Sequence, residues 1–182
     1  MKEIIIFCDG ACSGNGKDEN VGGWGAVLKY KDQVKEIKGG ASKTTNNIME
    51  LTAAIEALSQ LKSPHLSIKI YSDSAYVVNC FQNNWYVKWR MNGWQTSKKE
   101  PVENKALWEQ LIQLVESFDQ VVFYKIKGHL DPAKKTEVAK WHKNFNETNH
   151  TPLSVDDFLE LISLNHLADQ LANEGMAPYK QT

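Results

Sequence analysis

Apolar positions in the first quarter of the chain follow patterns that are typical of β-strands. Residues 3–9 form an apolar, β-branched run that ends at Asp9 and Gly10, which predicts a buried strand. The next segment, GGWGAVLKYKDQVKEIKGG, alternates around a turn near Lys31 and Asp32, as an antiparallel hairpin does. We therefore expect the fold to begin with three strands.

Helical spacing of apolar residues begins after this hairpin, over residues 46–61, and LSIKIYSD then predicts a fourth strand. The segment SAYVVNCFQNNWYVKWRMNGW has helical patterning up to Gly93, and residues 103–118 have it again. QVVFYKIKGH then predicts the last strand. The resulting order is β-β-β-α-β-α-α-β followed by more helix. It predicts an α/β fold with a mixed five-stranded sheet, three antiparallel strands and then two parallel ones, flanked by helices.

A hydrophilic stretch separates the last strand from the end of the chain. Residues 131–163 have the character of an insertion, and Ser154 with Asp157 forms a capping signature ahead of FLELISLNHLADQLANEG, which predicts a long final helix. The sequence has no internal repeat and no low-complexity tract. We expect one domain over residues 1–182 that includes this insertion.

Composition narrows the location and the possible partners. The net charge is −1, from 21 basic and 22 acidic residues, so binding of a polyanion requires a local basic patch. Three cysteines, Cys8, Cys12 and Cys80, are too few for a disulfide framework and indicate a reducing compartment, the cytoplasm. The apolar start is too short for a signal peptide or a membrane span, so we expect no membrane association.

Two carboxylates stand where predicted strands end, Asp9 and Asp73, and such positions often carry ligand chemistry. Each residue alone is equally typical of a turn or a helix cap. Glu50 is expected in the first helical turn, where the alternative role is interaction with the helix N-terminus. Asp169 borders the apolar stripe of the final helix, and its alternative is a solvated helical side chain.

If these four carboxylates converge, their mutual repulsion requires divalent cations as compensating charge. Oxygen ligands alone suit Mg²⁺ or Mn²⁺. Two such ions in one site activate a water molecule and stabilise the departing oxygen in an in-line displacement at phosphorus. This chemistry predicts phosphodiester hydrolysis.

Six segments of the sequence resemble, in order, the motifs of the type 1 ribonuclease H family: CDGACSGNG, TTNNIMEL, YSDS, NNWYVKWRMNGW, IKGH and LNHLADQLA. The resemblance implies a metal-dependent endonuclease that cuts the RNA strand of RNA/DNA hybrids and leaves 5′-phosphate and 3′-hydroxyl ends. It also implies two Mg²⁺ ions, with Mn²⁺ able to substitute, held by Asp9, Glu50, Asp73 and Asp169. His129 matches the family's mobile-loop histidine, which assists proton transfer or product release.

The resemblance further implies which residues contact the hybrid. Asn15, Asn46 and the backbone of the GACSGNG loop would face the RNA strand, where the 2′-hydroxyl separates RNA from DNA. Asn47 would be a further substrate-binding residue. A basic protrusion rich in tryptophan would grip the DNA strand, and a phosphate pocket would include two further residues; this set comprises Trp85, Lys88, Trp89, Arg90, Trp94, Lys98, Lys99, Lys105, Thr45 and Asn104. Asn15 and its neighbours also fit ordinary turn chemistry, and Trp85 with Trp89 also fits an i, i+4 packing pair.

The sequence departs from the family pattern in three places. Ile48 stands where many members carry arginine, Ala75 replaces a longer polar side chain, and residues 131–163 lengthen a loop that other members keep short. The insertion would be a lid, a partner site or an inert excursion. Its histidines, His142 and His150, fit no zinc motif, and neither Cys8 nor Cys12 has an activating base, so we expect no zinc site and no thiol catalysis.

Two rival functions remain at this point: a DNA nuclease on the same fold, and a hybrid-binding module without catalysis. The complete set of four carboxylates argues against both. We expect a monomer without a separate hybrid-binding domain or a small-molecule cofactor. Because sugars and phosphates are contacted instead of base edges, cutting should be indifferent to base sequence and weakened by salt.

Overall fold

A mixed sheet of five strands forms the centre of the computed structural model, which describes residues 1–14 and 20–180. The strands are β1 (Lys2–Ser13), β2 (Val21–Tyr30), β3 (Gln33–Ser42), β4 (Leu66–Ser72) and β5 (Gln120–Lys125). Their spatial order is β3-β2-β1-β4-β5; the pairs β1-β2 and β2-β3 are antiparallel, and β1-β4 and β4-β5 are parallel. The predicted fold class is confirmed.

The helices follow the predicted order with one additional break and one additional helix, which lies between the last strand and the final helix. They are α1 (Asn46–Ser59), α2 (Ala75–Gln82), α3 (Trp85–Asn92), α4 (Lys105–Glu116), α5 (Lys135–Asn149) and α6 (Val155–Met176), followed by a 3₁₀ turn (Ala177–Tyr179). Asn84 adopts a left-handed conformation with φ of 55° and divides the segment before Gly93 into α2 and α3. Within the described ranges, no helix combines the length and the apolar character needed to cross a bilayer.

Each face of the sheet carries its own hydrophobic core, because side chains alternate along a strand. Ile6 and Cys8 of β1 face the cluster that also contains residues of α1, α2 and α4, including the fully buried Trp108. Phe7 faces the opposite cluster, which contains residues of α5 and α6 such as Phe158. The sheet is therefore covered on both sides.

The insertion is a helix and not the extended loop that the sequence suggested. α5 buries Val138 and Phe145 against the sheet, and the amide of Asn149 donates to the carbonyl of Lys125 at 2.9 Å and accepts from its N–H at 3.0 Å. The hydrophilic composition of this segment gave little sign of a helix, because a helix that packs on the sheet with one face needs only a narrow apolar stripe. The remainder of residues 131–163 includes the start of α6. Ser154 caps this helix, because its side-chain oxygen accepts a hydrogen bond from the N–H of Asp157 at 3.1 Å, as the capping signature predicted.

The first strand is longer than the apolar run predicted. Its parallel pairing with β4 ends at Cys8 and Ser72, but its antiparallel pairing with β2 continues through Asp9 and Gly25 to Ser13 and Val21. Asp9 thus lies within β1 and not at its end. It does mark the point where the parallel part of the sheet opens, which is the position that matters for the site.

Candidate active site

Four carboxylates from four elements converge at the opening of the sheet. Asp9 on β1, Glu50 on α1 and Asp73 directly after β4 each offer an oxygen, and these oxygens lie within 4.8 Å of one another. Asp169 on α6 lies within hydrogen-bonding reach of Asp9. All four line a cleft of about 600 Å³.

Close packing of two helices against the sheet brings the acids together. At Gly10, an added Cβ would lie 2.6 Å from the backbone nitrogen of Glu50, so glycine lets α1 approach β1 closely. At Gly25, which pairs with Asp9 across the sheet, an added Cβ would lie 2.7 Å from the carbonyl oxygen of Ala168. These glycines allow α1 and α6 to carry Glu50 and Asp169 up to Asp9.

Burial and mutual repulsion strongly disfavour ionisation of two of these acids. Asp9 is 4% exposed, and burial followed by the negative charges of Asp73 and Glu50 raises its pKa to about 10. Burial and the charge of Asp73 raise the pKa of Glu50 well above its ordinary value, although a hydrogen bond from the backbone of Gly10 opposes this. The cluster therefore needs protons or cations to offset its charge.

The position of Glu50 differs from the expectation. It is the fifth residue of α1, beyond the first turn, and Thr45 caps the helix by accepting from the N–H of Ile48 at 3.1 Å. Interaction with the helix N-terminus is therefore not what holds Glu50. Its Oε2 is buried and has no hydrogen-bond partner among the described residues, and an unpaired buried carboxylate oxygen is costly unless a ligand completes it.

His129 lies at the rim of the cleft in an exposed loop. Its side chain is 78% exposed, its φ is 56°, and its Nδ1 lies 3.9 Å from Oδ2 of Asp169. That distance is too long for a direct hydrogen bond, so no hydrogen bond to Asp169 fixes the imidazole. This exposure fits a proton carrier better than a structural residue.

The cleft gathers some of the expected hybrid contacts and adds new residues. Asn46 and Asn47 line it beside the four acids and His129. Asn15 lies outside the described residues. Gly10, Ala11 and Cys12 also line the cleft, and they belong to the GACSGNG loop, whose backbone was expected to face the RNA strand. Ser74, Tyr76 and Asn173 were not anticipated, and Ala75 was noted only as a departure. The i, i+4 spacing from Asp169 to Asn173, whose amide donates to the carbonyl of Asp169 at 3.0 Å, was a usable signal.

The tryptophan-rich protrusion lies outside the cleft, and its aromatic rings pack against the core. Trp89 contacts Trp94 and Trp108, with ring centroids 5.5 and 5.4 Å apart, and Trp85 is also partly buried. Arg90 is paired with both carboxylate oxygens of Glu116, at 2.8 and 2.6 Å. The predicted nucleic-acid contacts of Trp85, Trp89 and Arg90 therefore compete with internal contacts.

The cations of the protrusion are exposed, and among the described residues Lys88, Lys98 and Lys99 form no salt bridge. Lys105 lies over the ring of Trp94 at 5.7 Å. Asn104 belongs to a separate network, because its amide donates to the hydroxyl of Tyr76 at 3.2 Å. The indole of the buried Trp108 donates to the same oxygen at 2.8 Å. Sequence reasoning missed Tyr76, which links the expected phosphate pocket to the core and to the cleft.

Cysteine and histidine side chains near the site are engaged elsewhere. Cys8 lies in the core, where burial and the nearby carboxylates raise the pKa of its thiol and keep it protonated. The ring of His142 packs against Phe158, and its Nε2 lies 2.6 Å from the carbonyl oxygen of Leu153. His142 thus joins α5 to the segment before α6.

Known proteins are similar to this chain in sequence and in fold. The protein-family model described as RNase H matches residues 1–148. The ribonuclease H of Clostridium botulinum (strain Hall) is 52% identical over 131 residues, which cover 72% of this chain and 87% of that protein. The crystal structure of LC9-RNase H1, a type 1 RNase H with the type 2 active-site motif, superposes with a TM-score of 0.71 at 24% identity over 100% of this chain and 75% of that one.

The crystal structure of LC11-RNase H1 in complex with RNA/DNA hybrid superposes with a TM-score of 0.57 at 19% identity, over 96% of this chain and 97% of that one. At such identities the two structures show a shared fold. The sequence matches go further: this chain belongs to the RNase H family, and its activity is that of a ribonuclease H, a hydrolase. The family match ends before α6 and does not include Asp169, which the structure brings to Asp9.

Proposed function

We propose that this chain is a type 1 ribonuclease H that cuts the RNA strand of RNA/DNA hybrids and leaves 5′-phosphate and 3′-hydroxyl ends. The observation that carries the proposal is the convergence of Asp9, Glu50, Asp73 and Asp169 at the mouth of the sheet. LC11-RNase H1, which shares the fold, has been crystallised with an RNA/DNA hybrid. Family membership supports hydrolysis of RNA, and the cleft supplies a site for it.

The donor set fits divalent cations of the magnesium type. It offers only carboxylate oxygens, three of them within 4.8 Å of one another, and one buried oxygen of Glu50 lacks a partner in the described part of the chain. We assign Asp9, Glu50, Asp73 and Asp169 as ligands for two Mg²⁺ ions, with Mn²⁺ as a substitute. When bound, such ions supply Lewis acidity toward the attacking water and the departing oxygen.

The chain's own residues position the scissile phosphate and manage protons. The packing of α1 and α6 on the sheet fixes the carboxylates before substrate arrives, so little reorganisation is required during reaction. His129, exposed at the rim and with its Nδ1 3.9 Å from Oδ2 of Asp169, would donate a proton to the leaving 3′-oxygen and regain one from solvent. We expect loss of His129 to slow turnover less than loss of a carboxylate.

Recognition of the hybrid would involve two surfaces. Asn46 and Asn47 line the cleft with short polar side chains that reach a sugar edge, where the 2′-hydroxyl distinguishes RNA. The exposed Lys88, Lys98 and Lys99 would contact DNA phosphates without reading bases. Ala75, which lines the cleft, offers no hydrogen bond there, and Ile48 brings no charge to the start of α1 near Thr45.

We also propose that the protein acts in the cytoplasm as a monomer. All three of its cysteines are free, and two of them, Cys8 and Cys80, are buried. Free thiols persist in a reducing compartment. Size-exclusion chromatography with light scattering measures the oligomeric state directly, and a dimer at micromolar concentration would contradict this part of the proposal.

The proposed substrate is tested with a panel of labelled duplexes: an RNA/DNA hybrid, duplex RNA and duplex DNA of one sequence, each with Mg²⁺ and with chelator. We expect magnesium-dependent cutting of the RNA strand of the hybrid alone, with ends that polynucleotide kinase labels only after phosphatase treatment. Cut duplex DNA with intact hybrid would indicate a DNA nuclease. Binding of hybrid without any cutting would contradict the proposed reaction.

A further inference from the structure

We propose that the inserted helix α5 and the residues before it form a second nucleic-acid-binding surface that contacts the phosphate backbone of the hybrid beside the cleft. This α5 basic surface consists of Lys127, Lys134, Lys135, Lys140 and Lys143 around Trp141. It is distinct from the protrusion of α3, and it rests on the proposed action on hybrids. The inference gives the insertion a binding role.

The charge of this segment is as high as that of the protrusion. Residues 127–143 contain five lysines against two acidic residues, the same balance as residues 85–105, in a chain whose net charge is −1. All five lysines are exposed, and within the described ranges none of them forms a salt bridge. In the protrusion, by contrast, Arg90 is neutralised by Glu116. Uncompensated positive charge attracts a polyanion.

An aromatic ring holds two of these lysines in place. The ammonium groups of Lys127 and Lys140 lie 5.0 and 5.2 Å from the ring centroid of Trp141, within the range of cation–π attraction. Trp141 is partly buried in the core beneath α5. Because the ring already contacts two cations, we expect it to orient them toward phosphates and not to stack on a base.

The surface is rigidly attached to the sheet beside the active site. Phe145 anchors α5 in the core, and Asn149 is bonded to both backbone groups of Lys125. Lys127 follows two residues later, and the next residue, Gly128, lies against the carboxylate of Asp73. A phosphate held by Lys127 would therefore lie next to the cleft, with the rest of α5 extending the contact.

The two basic surfaces lie over opposite faces of the sheet. The aromatic residues of the protrusion pack on the core formed with α1 and α4, whereas Trp141 packs on the core formed with α6. The carboxylates lie at the opening between these faces. A duplex across the cleft would meet lysines on both sides, which enlarges the number of phosphates contacted.

Hybrid binding by Lys127→Gln/Lys140→Gln/Lys143→Gln tests the inference, in an Asp9→Asn background that leaves the hybrid uncut. Fluorescence anisotropy over a range of salt gives Kd and its salt dependence. We expect Kd to rise about tenfold near 0.1 M salt, and the slope of log K against log salt to become less steep by about 2 to 3, as for two or three lost phosphate contacts. Tm should fall by no more than a few °C, because all three side chains are exposed and only the cation–π contacts of Lys127 and Lys140 with Trp141 are lost.

The matched control removes the same charge far from the cleft, with Lys31→Gln/Lys35→Gln/Lys62→Gln, three exposed lysines near the opposite end of the sheet. If both triple variants behave alike, the α5 basic surface is refuted. A second variant, Lys140→Gln/Lys143→Gln, should retain most of the effect; if the whole effect belongs to Lys127, α5 does not contact the hybrid. If the parent does not bind hybrid and the wild type does not cut it, the proposed function itself fails.

Discussion

Replacing Phe145 with alanine should destabilise the whole domain, although this residue lies in the inserted helix. Phe145 is 3% exposed in the core between the sheet and α6. Its ring centroid lies 5.6 Å from that of Phe158 and 6.2 Å from that of Tyr71. Alanine would leave a cavity between α5, α6 and the sheet.

The expected loss is large compared with the stability of a typical domain. Truncation of a buried phenylalanine costs about 3 to 5 kcal/mol, from lost transfer free energy and from the cavity. For a domain of this size, each kcal/mol lowers Tm by about 2 to 4 °C, so the unfolding midpoint should fall by about 6 to 20 °C. Total stability is about 5 to 15 kcal/mol, so the variant should still fold at low temperature.

Urea denaturation and differential scanning calorimetry measure this loss, with Asn144→Ala as the control because Asn144 is exposed on the same helix. The control should stay within about 0.5 kcal/mol of the wild type. The cleavage rate of Phe145→Ala at saturating hybrid, well below its Tm, should be close to normal, since Phe145 does not line the cleft. A decrease in the free energy of unfolding below about 1 kcal/mol would refute the reasoning, because α5 would then contribute little to the stability of the domain.

Three further predictions concern charge and buried hydrogen bonds. The pKa of Asp9 is raised from 3.8 to about 10, so without metal the wild type loses stability as pH rises through that range. Asp9→Asn cannot ionise at this position, so its Tm advantage over the wild type should grow from pH 5 to pH 8 and shrink when Mg²⁺ is added. A Tm advantage that does not depend on pH would contradict the argument. Tyr76→Phe leaves the indole N–H of Trp108 without its acceptor, which should cost about 1 to 3 kcal/mol in urea denaturation; an unchanged midpoint would be contrary evidence. Asn149→Ala removes the hydrogen-bond acceptor of the Lys125 backbone amide in β5. Hydrogen exchange of that amide should accelerate, while amides in β1 stay protected. Unaltered exchange at Lys125 would show that α5 does not cover β5.

The sheet was predictable because its strands carry unbroken local signals. The apolar run of β1 matches its buried centre, and the turn expected near Lys31 and Asp32 joins β2 to β3. The extension of β1 beyond Asp9 was not predictable in this way, since it depends on pairing with the glycine-rich start of β2. Pairing between strands depends on residues that are distant in sequence, so the local sequence pattern gives little sign of it.

The site was predictable for a different reason. Asp9, Glu50, Asp73 and Asp169 lie in recognisable motifs, and carboxylates of this number predicted a site for divalent cations. What sequence reasoning lacked were residues whose role appears only in three dimensions: Tyr76, which accepts from Asn104 and Trp108, and Asn149, which bonds to Lys125. Helix α5 escaped prediction because a polar asparagine and a few apolar side chains dock it on the sheet.

The central claim is that the converging carboxylates perform the hydrolysis, and single-turnover cleavage of an RNA/DNA hybrid by Asp73→Asn in Mg²⁺ tests it most directly. Asp73→Asn keeps the shape of the side chain and removes a charge from the cluster, whereas the control Asp32→Asn makes the same change at the exposed β2–β3 turn. We predict at least about a 100-fold lower rate for Asp73→Asn and an unchanged rate for Asp32→Asn. Cleavage by Asp73→Asn at the wild-type rate would contradict the account.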